Sequence, residues 1–92
     1  MAENFLKIAQ DTILETEGVS SLAFPGILPK INSKALELDV FVDVDYGVNI
    51  PEISWNIQEN IKNRLDQLPN IKISKINIHI EGITFKEKET YE

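Results

Sequence analysis

Between Glu3 and Glu17 the apolar residues Phe5, Leu6, Ile8, Ala9, Ile13 and Leu14 recur at spacings near three and four, with Asn4, Lys7, Gln10, Asp11 and Glu15 between them. That period predicts an amphipathic helix with one broad packed stripe, closed by Gly18 in the position where a helix end favours glycine. The next residues, VSSLAF, read as a short strand. Pro25 to Ser33 (PGILPKINS) holds two prolines, a glycine, Asn and Ser, so a loop is expected there, the most mobile part of the chain. From Ala35 the pattern switches to alternation, with Leu36, Leu38, Val40, Val42, Val44 and Tyr46 on one face and Glu37, Asp39, Phe41, Asp43 and Asp45 on the other. This period of two along LELDVFVDVDY is the strongest pattern in the sequence. It predicts a strand whose even face seats the helices and whose odd face is acidic.

Gly47 ends that strand, and Asn49, Pro51 and Glu52 suit the N-cap, the first turn and the positive end of a second helix. Ile50, Ile53, Ile57, Ile61, Leu65 and Leu68 form its core stripe, which stops at Pro69-Asn70. The tail IKISKINIHIEGITF reads as a last strand that changes phase. Its apolar residues pass from Ile71 and Ile73 to Ile76, Ile78 and Ile80 across Ser74-Lys75, then shift again at Gly82 before Ile83 and Phe85. A bulge or a late strand start accounts for the first change, and Lys75, Asn77, His79 and Glu81 fall on one polar face. The stretch from Tyr46 to Ile71 is long enough for a right-handed crossover, so the long strand and the last strand are expected to be parallel. The expected fold class is α+β in two layers, order α-β-β-α-β. A small mixed sheet of about three strands carries two helices on one face and leaves the other open. Residues 1–86 form one domain, and the charged tail 87–92 is expected to fray.

At 92 residues the chain holds one hydrophobic core with a thin margin of stability, so assembly with a partner or a second copy would help it. The absence of Cys removes disulfides, thiolate catalysis and cysteine zinc sites, and suits a reducing compartment. MAENFLKIAQD has neither a basic start nor an uninterrupted apolar run, and no stretch approaches the roughly 20 apolar residues that span a bilayer. A soluble, cytoplasmic protein is expected. Nine Lys and Arg against fifteen Asp and Glu leave a net charge of −6, which repels phosphate backbones and anionic headgroups. Nucleic acid is therefore not an expected partner, and a membrane is reached only indirectly, at its inner face through an anchored protein.

Any catalytic reading starts from His79, the one His, because the Ser residues stand in no nucleophile motif. No triad is selected by spacing, and a His on the wet face of a strand is commonly a solvated residue. Metal binding is the sharper alternative. Asp39, Asp43 and Asp45 share a face, and pairing of the two strands would bring Asp43 and Asp45 toward His79 and Glu81, a set of hard ligands suited to magnesium, calcium or manganese and to hydrolysis. Against it, strand carboxylates spaced two apart point parallel, and salt bridges to Lys72 and Lys75 or plain solvation explain the acidic row. The glycines at 18, 26, 47 and 82 form no phosphate-cradling loop and no GxxG clamp, so neither a nucleotide cofactor nor a small-molecule substrate is indicated. The more informative residues are Trp55, about 160° around its helix from Ile57, and Phe41, a large apolar side chain on the acidic face. Asp39, Phe41, Asp43, Asp45, Trp55 and His79 are the candidate interaction residues.

Three stretches, FLKIAQDTILETEGVSSL, VFVDVDYGVNIPEISWNIQENIKNRL and ISKINIHIEGITF, resemble the alkaline-shock protein family of bacterial envelope-stress response proteins, known chiefly from Gram-positive bacteria. The specific part is the valine-rich strand running into Tyr46-Gly47, followed by Asn49-Ile50-Pro51-Glu52 and Ile57-Gln58. The resemblance implies a small α/β domain with no known catalytic activity and no cofactor, linked to cell-envelope homeostasis and brought near the membrane by partner proteins. Self-assembly, or service as an accessory subunit of a metabolic or lipid-related enzyme, is implied as well. The family supplies no catalytic residues. This chain departs from it in a short connection between the first helix and the long strand, where many members carry a longer charged segment, and in having no long tail, so an extra strand is expected to be absent.

Overall fold

The computed structural model describes residues 3–32 and 35–85. Helix α1, Glu3–Glu15, buries Ala9 and Ile13, and Phe5 and Ile8 pack against the same core. Leu14, expected in the stripe, is instead half exposed, because it falls at the stripe's outer margin. Thr12 and Thr16 are buried and return their hydroxyl protons to the carbonyls of Ile8 and Thr12, so neither brings an unmet donor into the interior. Gly18 has φ +99° and lies under Ile53, which lets the chain reverse tightly into the sheet.

Strand β1, Val19–Asn32, corrects the loop expected over Pro25–Ser33. It pairs antiparallel with β2, Ala35–Asp45, from Val19↔Val44 to Asn32↔Ala35, with a break in register between Leu22 and Ile27 that holds the cis Phe24–Pro25 peptide and Gly26 at φ +88°. The turn-forming residues are thus spent on a bulge inside a long hairpin arm. Pro29 is tolerated opposite Leu38 because β1 lies at the edge of the sheet, where one row of N–H groups needs no partner. Residue 33 of the expected loop and the tail 87–92 expected to fray lie outside the described residues.

Helix α2, Ile50–Leu65, opens with the Asn49 side chain accepting the Glu52 backbone N–H at 3.0 Å, with Pro51 in the first turn, as the sequence pattern anticipates. Ile53, Ile57, Ile61 and Leu65 are its buried stripe. Ile50, at the first turn, stays more exposed than that stripe, and Leu68 packs on the core from the turn beyond the helix. Strand β3, Ile73–Thr84, then pairs parallel with β2, giving a three-stranded sheet in the order β1-β2-β3. Both expected phase changes are register shifts, one between the pairs Leu36↔Ile73 and Glu37↔Lys75, the other between Val42↔Ile80 and Asp43↔Gly82. The class is α+β with the element order α-β-β-α-β.

Leu38, Val40, Val42 and Val44 are fully buried beneath the helices with Ile76, so the even face of β2 is the floor of the core. Tyr46 departs from that expectation. It follows the last residue of β2, is 68% exposed, and stacks on Phe85 with ring centroids 4.6 Å apart. The helices cover one face of the sheet only. The face carrying Glu37, Asp39, Phe41 and Asp43 has no second layer among the described residues, and that is where the candidate site lies.

A hydrogen-bonded open sheet face

The register places Asp39 beside Asn77 and Phe41 beside His79. Asn77 donates from Nδ2 to Glu37 Oε2 at 2.9 Å and to Asp39 Oδ1 at 3.0 Å, and His79 Nε2 donates to the same Asp39 oxygen at 3.1 Å. The imidazole in turn lies flat on Phe41, with centroids 4.4 Å apart and ring planes 10° from parallel. Glu37, Asn77, Asp39, His79 and Phe41 therefore form one connected row across two strands. Because both donors point at a carboxylate, the charge left by folding β2 against β3 is answered chiefly by these hydrogen bonds, with Lys30 adding a weaker attraction.

That geometry holds the Asp39 carboxyl below its ordinary value of 3.8, chiefly through the His79 hydrogen bond, then the Asn77 bond, with desolvation working weakly the other way. A carboxyl whose pKa is lowered by folding stabilises the fold at pH above its unfolded value, and that contribution disappears as pH falls through the folded value. The gap in urea midpoint between wild type and Asp39→Asn is accordingly expected to close as the pH drops from about 5 to about 2. A gap that stays constant across that window would show that the carboxylate gains nothing from the row.

Of the residues singled out from sequence, Asp39, Phe41 and His79 come together, while Asp43, Asp45 and Trp55 do not join them. Asp43 pairs with Gly82, not with His79, and accepts weakly from Ser21 Oγ at 3.4 Å. Its Oδ1 lies 2.8 Å from the place a Cβ on Gly82 would take, so a side chain there would collide with the carboxylate. The expectation that Asp43 and Asp45 approach His79 and Glu81 is thus corrected by register: His79 faces Phe41, and the second bulge carries Glu81 past its neighbours. Among the described residues no group of three or more His, Asp and Glu is placed to hold a metal ion. Trp55 sits on the outer side of α2 and is 59% exposed, as its position around the helix anticipates.

Sequence reasoning did not single out Glu37 and Asn77. Their only signal was membership of a polar strand face, shared with several uninvolved residues. Phe24, 94% exposed on the β1 bulge, and the Tyr46–Phe85 stack were also missed, the former for lying at the end of a segment read as a short strand with no sign of the bulge that turns it outward. Among the described residues no helix is long and apolar enough to cross a membrane.

Solved structures with the same fold include MamM CTD variants. An aspartate-to-alanine variant matches with TM-score 0.71 at 12% identity, covering 89% of this chain and 98% of that one. A cysteine-to-serine variant matches with TM-score 0.70 at 14% identity, covering 88% and 95%. The copper form of an aspartate-to-histidine variant matches with TM-score 0.70 at 12% identity, covering 89% and 98%. Identities this low establish the fold alone. In sequence, the chain is similar to the uncharacterized protein YqhY of Bacillus subtilis, 36% identical over 63 residues that make up 68% of this chain and 47% of the relative. Spy1535 of Streptococcus pyogenes is 42% identical over 45 residues, 49% of this chain and 35% of that protein. YloU of Bacillus subtilis is 24% identical over 82 residues, 89% of this chain and 65% of that protein. The chain thus spans about half the length of these relatives. Residues 9–85, which include the buried Ala9 and Ile13 of α1, the whole α2 stripe and the open face, match the model of the alkaline-shock protein 23 family, described as having a cell envelope-related function, and the chain belongs to that family.

Proposed function

We propose that this chain is a non-catalytic interaction module of the bacterial cell envelope that docks a protein partner through the open face of its sheet. The observation that carries this reading is the Phe41–His79 stack, an apolar platform held in place by the Asp39 hydrogen bond on a face with no covering layer among the described residues. An aromatic fixed in one geometry loses little conformational freedom when a partner covers it, which is the property of an interface anchor. Around it stand the acceptors Glu37, Asp39 and Asp43, so the fitting partner surface combines an apolar pocket with basic or amide donors. The net charge of −6 works against direct binding to anionic lipid, and a protein bound at the membrane supplies the route to the envelope.

Quantitative co-purification from native cells with the tagged full chain, as wild type and as Phe41→Asp, tests the reading. A retained partner should lose affinity at least about tenfold in the variant, as expected for a central aromatic anchor. Equal capture by wild type and Phe41→Asp at matched folding, measured by circular dichroism, would overturn it. A divalent-ion site on the Asp39–His79 pair is the second reading, supported by the copper and nickel forms of MamM CTD variants that share the fold. It rests on two ligands, and calorimetric titration with magnesium, manganese and zinc decides it.

A further inference from the structure

We propose that the end of the sheet where β2 and β3 stop and α2 begins is a second docking surface, which takes a cationic amphipathic segment of another protein on the stacked rings of Tyr46 and Phe85. This surface is separate from the open face, and the two readings stand or fall independently.

The aromatic pair lies past the roof of the core. Val44 is buried beneath the helices and pairs with Ile83, so alternation puts Tyr46 and Phe85, each two residues further on, on the helix side of the sheet. Helix α2 starts only at Ile50 and runs back over the strands, which leaves both rings 68% exposed. Ile83 and Ile50 are exposed at the same end and widen the apolar surface. The pair is also held in place. The Tyr46 N–H donates to the Thr84 carbonyl at 2.8 Å, the Val48 N–H closes a turn on the Asp45 carbonyl at 3.4 Å, and the ring centroids are 4.6 Å apart. Rings fixed before binding lose little freedom when they are covered.

Charge decides what covers them. Residues 17–20, 43–56 and 80–85 build this end, with the Asp45 N–H on the Gly18 carbonyl tying the first two stretches together. They hold five carboxylates, Glu17, Asp43, Asp45, Glu52 and Glu81, and no Lys or Arg. Glu17, Glu52 and Glu81 enter no ion pair among the described residues. The cations lie toward the other end. Lys30 and Lys75 both pair with Glu37, the Lys72 carbonyl accepts the Leu36 N–H, and Lys62 and Arg64 sit in the last turn of α2. Arg64 in turn bonds Glu15 at the end of α1, so Lys7 is further still from Tyr46. The tail after Phe85 adds Lys86 and Lys88 against Glu87, Glu89 and Glu92, which does not reverse the sign.

An aromatic platform rimmed by carboxylates matches a segment that combines large apolar side chains with Lys or Arg. The apolar groups lie on the rings, the cations reach the rim, and a cation over an exposed ring face adds its own attraction. The same rim repels anionic lipid and nucleic acid.

Fluorescence anisotropy of a labelled synthetic amphipathic peptide of Leu and Lys, titrated with the full chain, tests this. Wild type should bind it with an affinity that falls as salt rises, and should bind the same pattern built of Leu and Glu at least about tenfold more weakly. Phe85→Ala should weaken the Lys peptide at least about tenfold, and Glu52→Lys or Glu81→Lys should weaken it by a smaller factor, each with an unchanged circular dichroism spectrum. Phe41→Ala should leave its Kd unchanged, which separates failure of this surface from failure of the open face. Equal binding by wild type and Phe85→Ala, or an equal loss in Phe41→Ala, would overturn the proposal. So would occupation of the surface by a second copy, seen in sedimentation without peptide as wild-type dimers that Phe85→Ala dissolves.

Discussion

Ile57→Ala is expected to destabilise the fold by about 2–5 kcal/mol, read as a loss of urea midpoint at unchanged slope. Ile57 is fully buried at the middle of the α2 stripe, within the cluster that joins Ala9 and Ile13 of α1 to Leu38, Val40 and Val42 of β2. Truncation removes about three methyl or methylene groups at about 0.8 kcal/mol each, and the space left behind adds to that loss because both helices and the sheet meet there and cannot all close in. A chain of 92 residues has on the order of 5–14 kcal/mol of stability, so the melting temperature should fall by at least about 10 °C. Asn63→Ala, on the exposed side of the same helix, should stay within about 0.5 kcal/mol of wild type. Similar losses at both positions would mean that α2 is not held by this stripe.

Gly18→Ala is expected to cost about 2–4 kcal/mol, for two separable reasons. The residue sits at φ +99°, where a side chain is strained, and a Cβ would lie 2.6 Å from Ile53 Cδ1 and 3.3 Å from Val48 Cγ1. Ile53 is itself nearly buried, so it has little room to turn aside. Gly47 provides the control. It has φ +92° with nothing within 4 Å of its Cβ position, so Gly47→Ala should carry the backbone strain alone, about 1–2 kcal/mol. The difference between the two variants, measured by chemical denaturation, isolates the close approach of the α1–β1 turn to α2. Equal losses would show that Ile53 gives way freely.

Both variants probe what joins the helices to each other and to the sheet, and this joining decides which face stays open. The row from Glu37 to Phe41 exists because helices α1 and α2 both fall on the even side of β2. Had one helix crossed to the other side, Phe41 would be a core residue and Asp39 would need burial with its charge. The acidic character of the odd face is thus a determinant of topology as well as a candidate surface.

Much of this was legible along the chain. Val40, Val42 and Val44 alternating with Phe41, Asp43 and Asp45 admits one backbone conformation that separates oil from charge, and Ile53, Ile57, Ile61 and Leu65 admit another. Even the two bulges of β3 showed as changes of phase, since a bulge moves apolar residues from odd to even positions. Family membership was likewise carried by local blocks, above all the strand running into Tyr46-Gly47 and the helix start after it.

What the sequence by itself determined is therefore the set of faces: which residues of each helix and strand turn inward, where each element is capped, and that Trp55 and Phe41 point away from the core. Period and capping depend on neighbours a few residues apart, and so they can be read from a single chain. Tertiary structure alone decided the rest. It drew Pro25 to Asn32 into a hairpin arm, because pairing with β2 outweighs local turn preference. It left Tyr46 outside the core, and it set His79 on Asp39 and Phe41 instead of on Asp43. Those outcomes depend on the register between strands far apart in sequence, where one bulge shifts every partner, and no local pattern specifies that register.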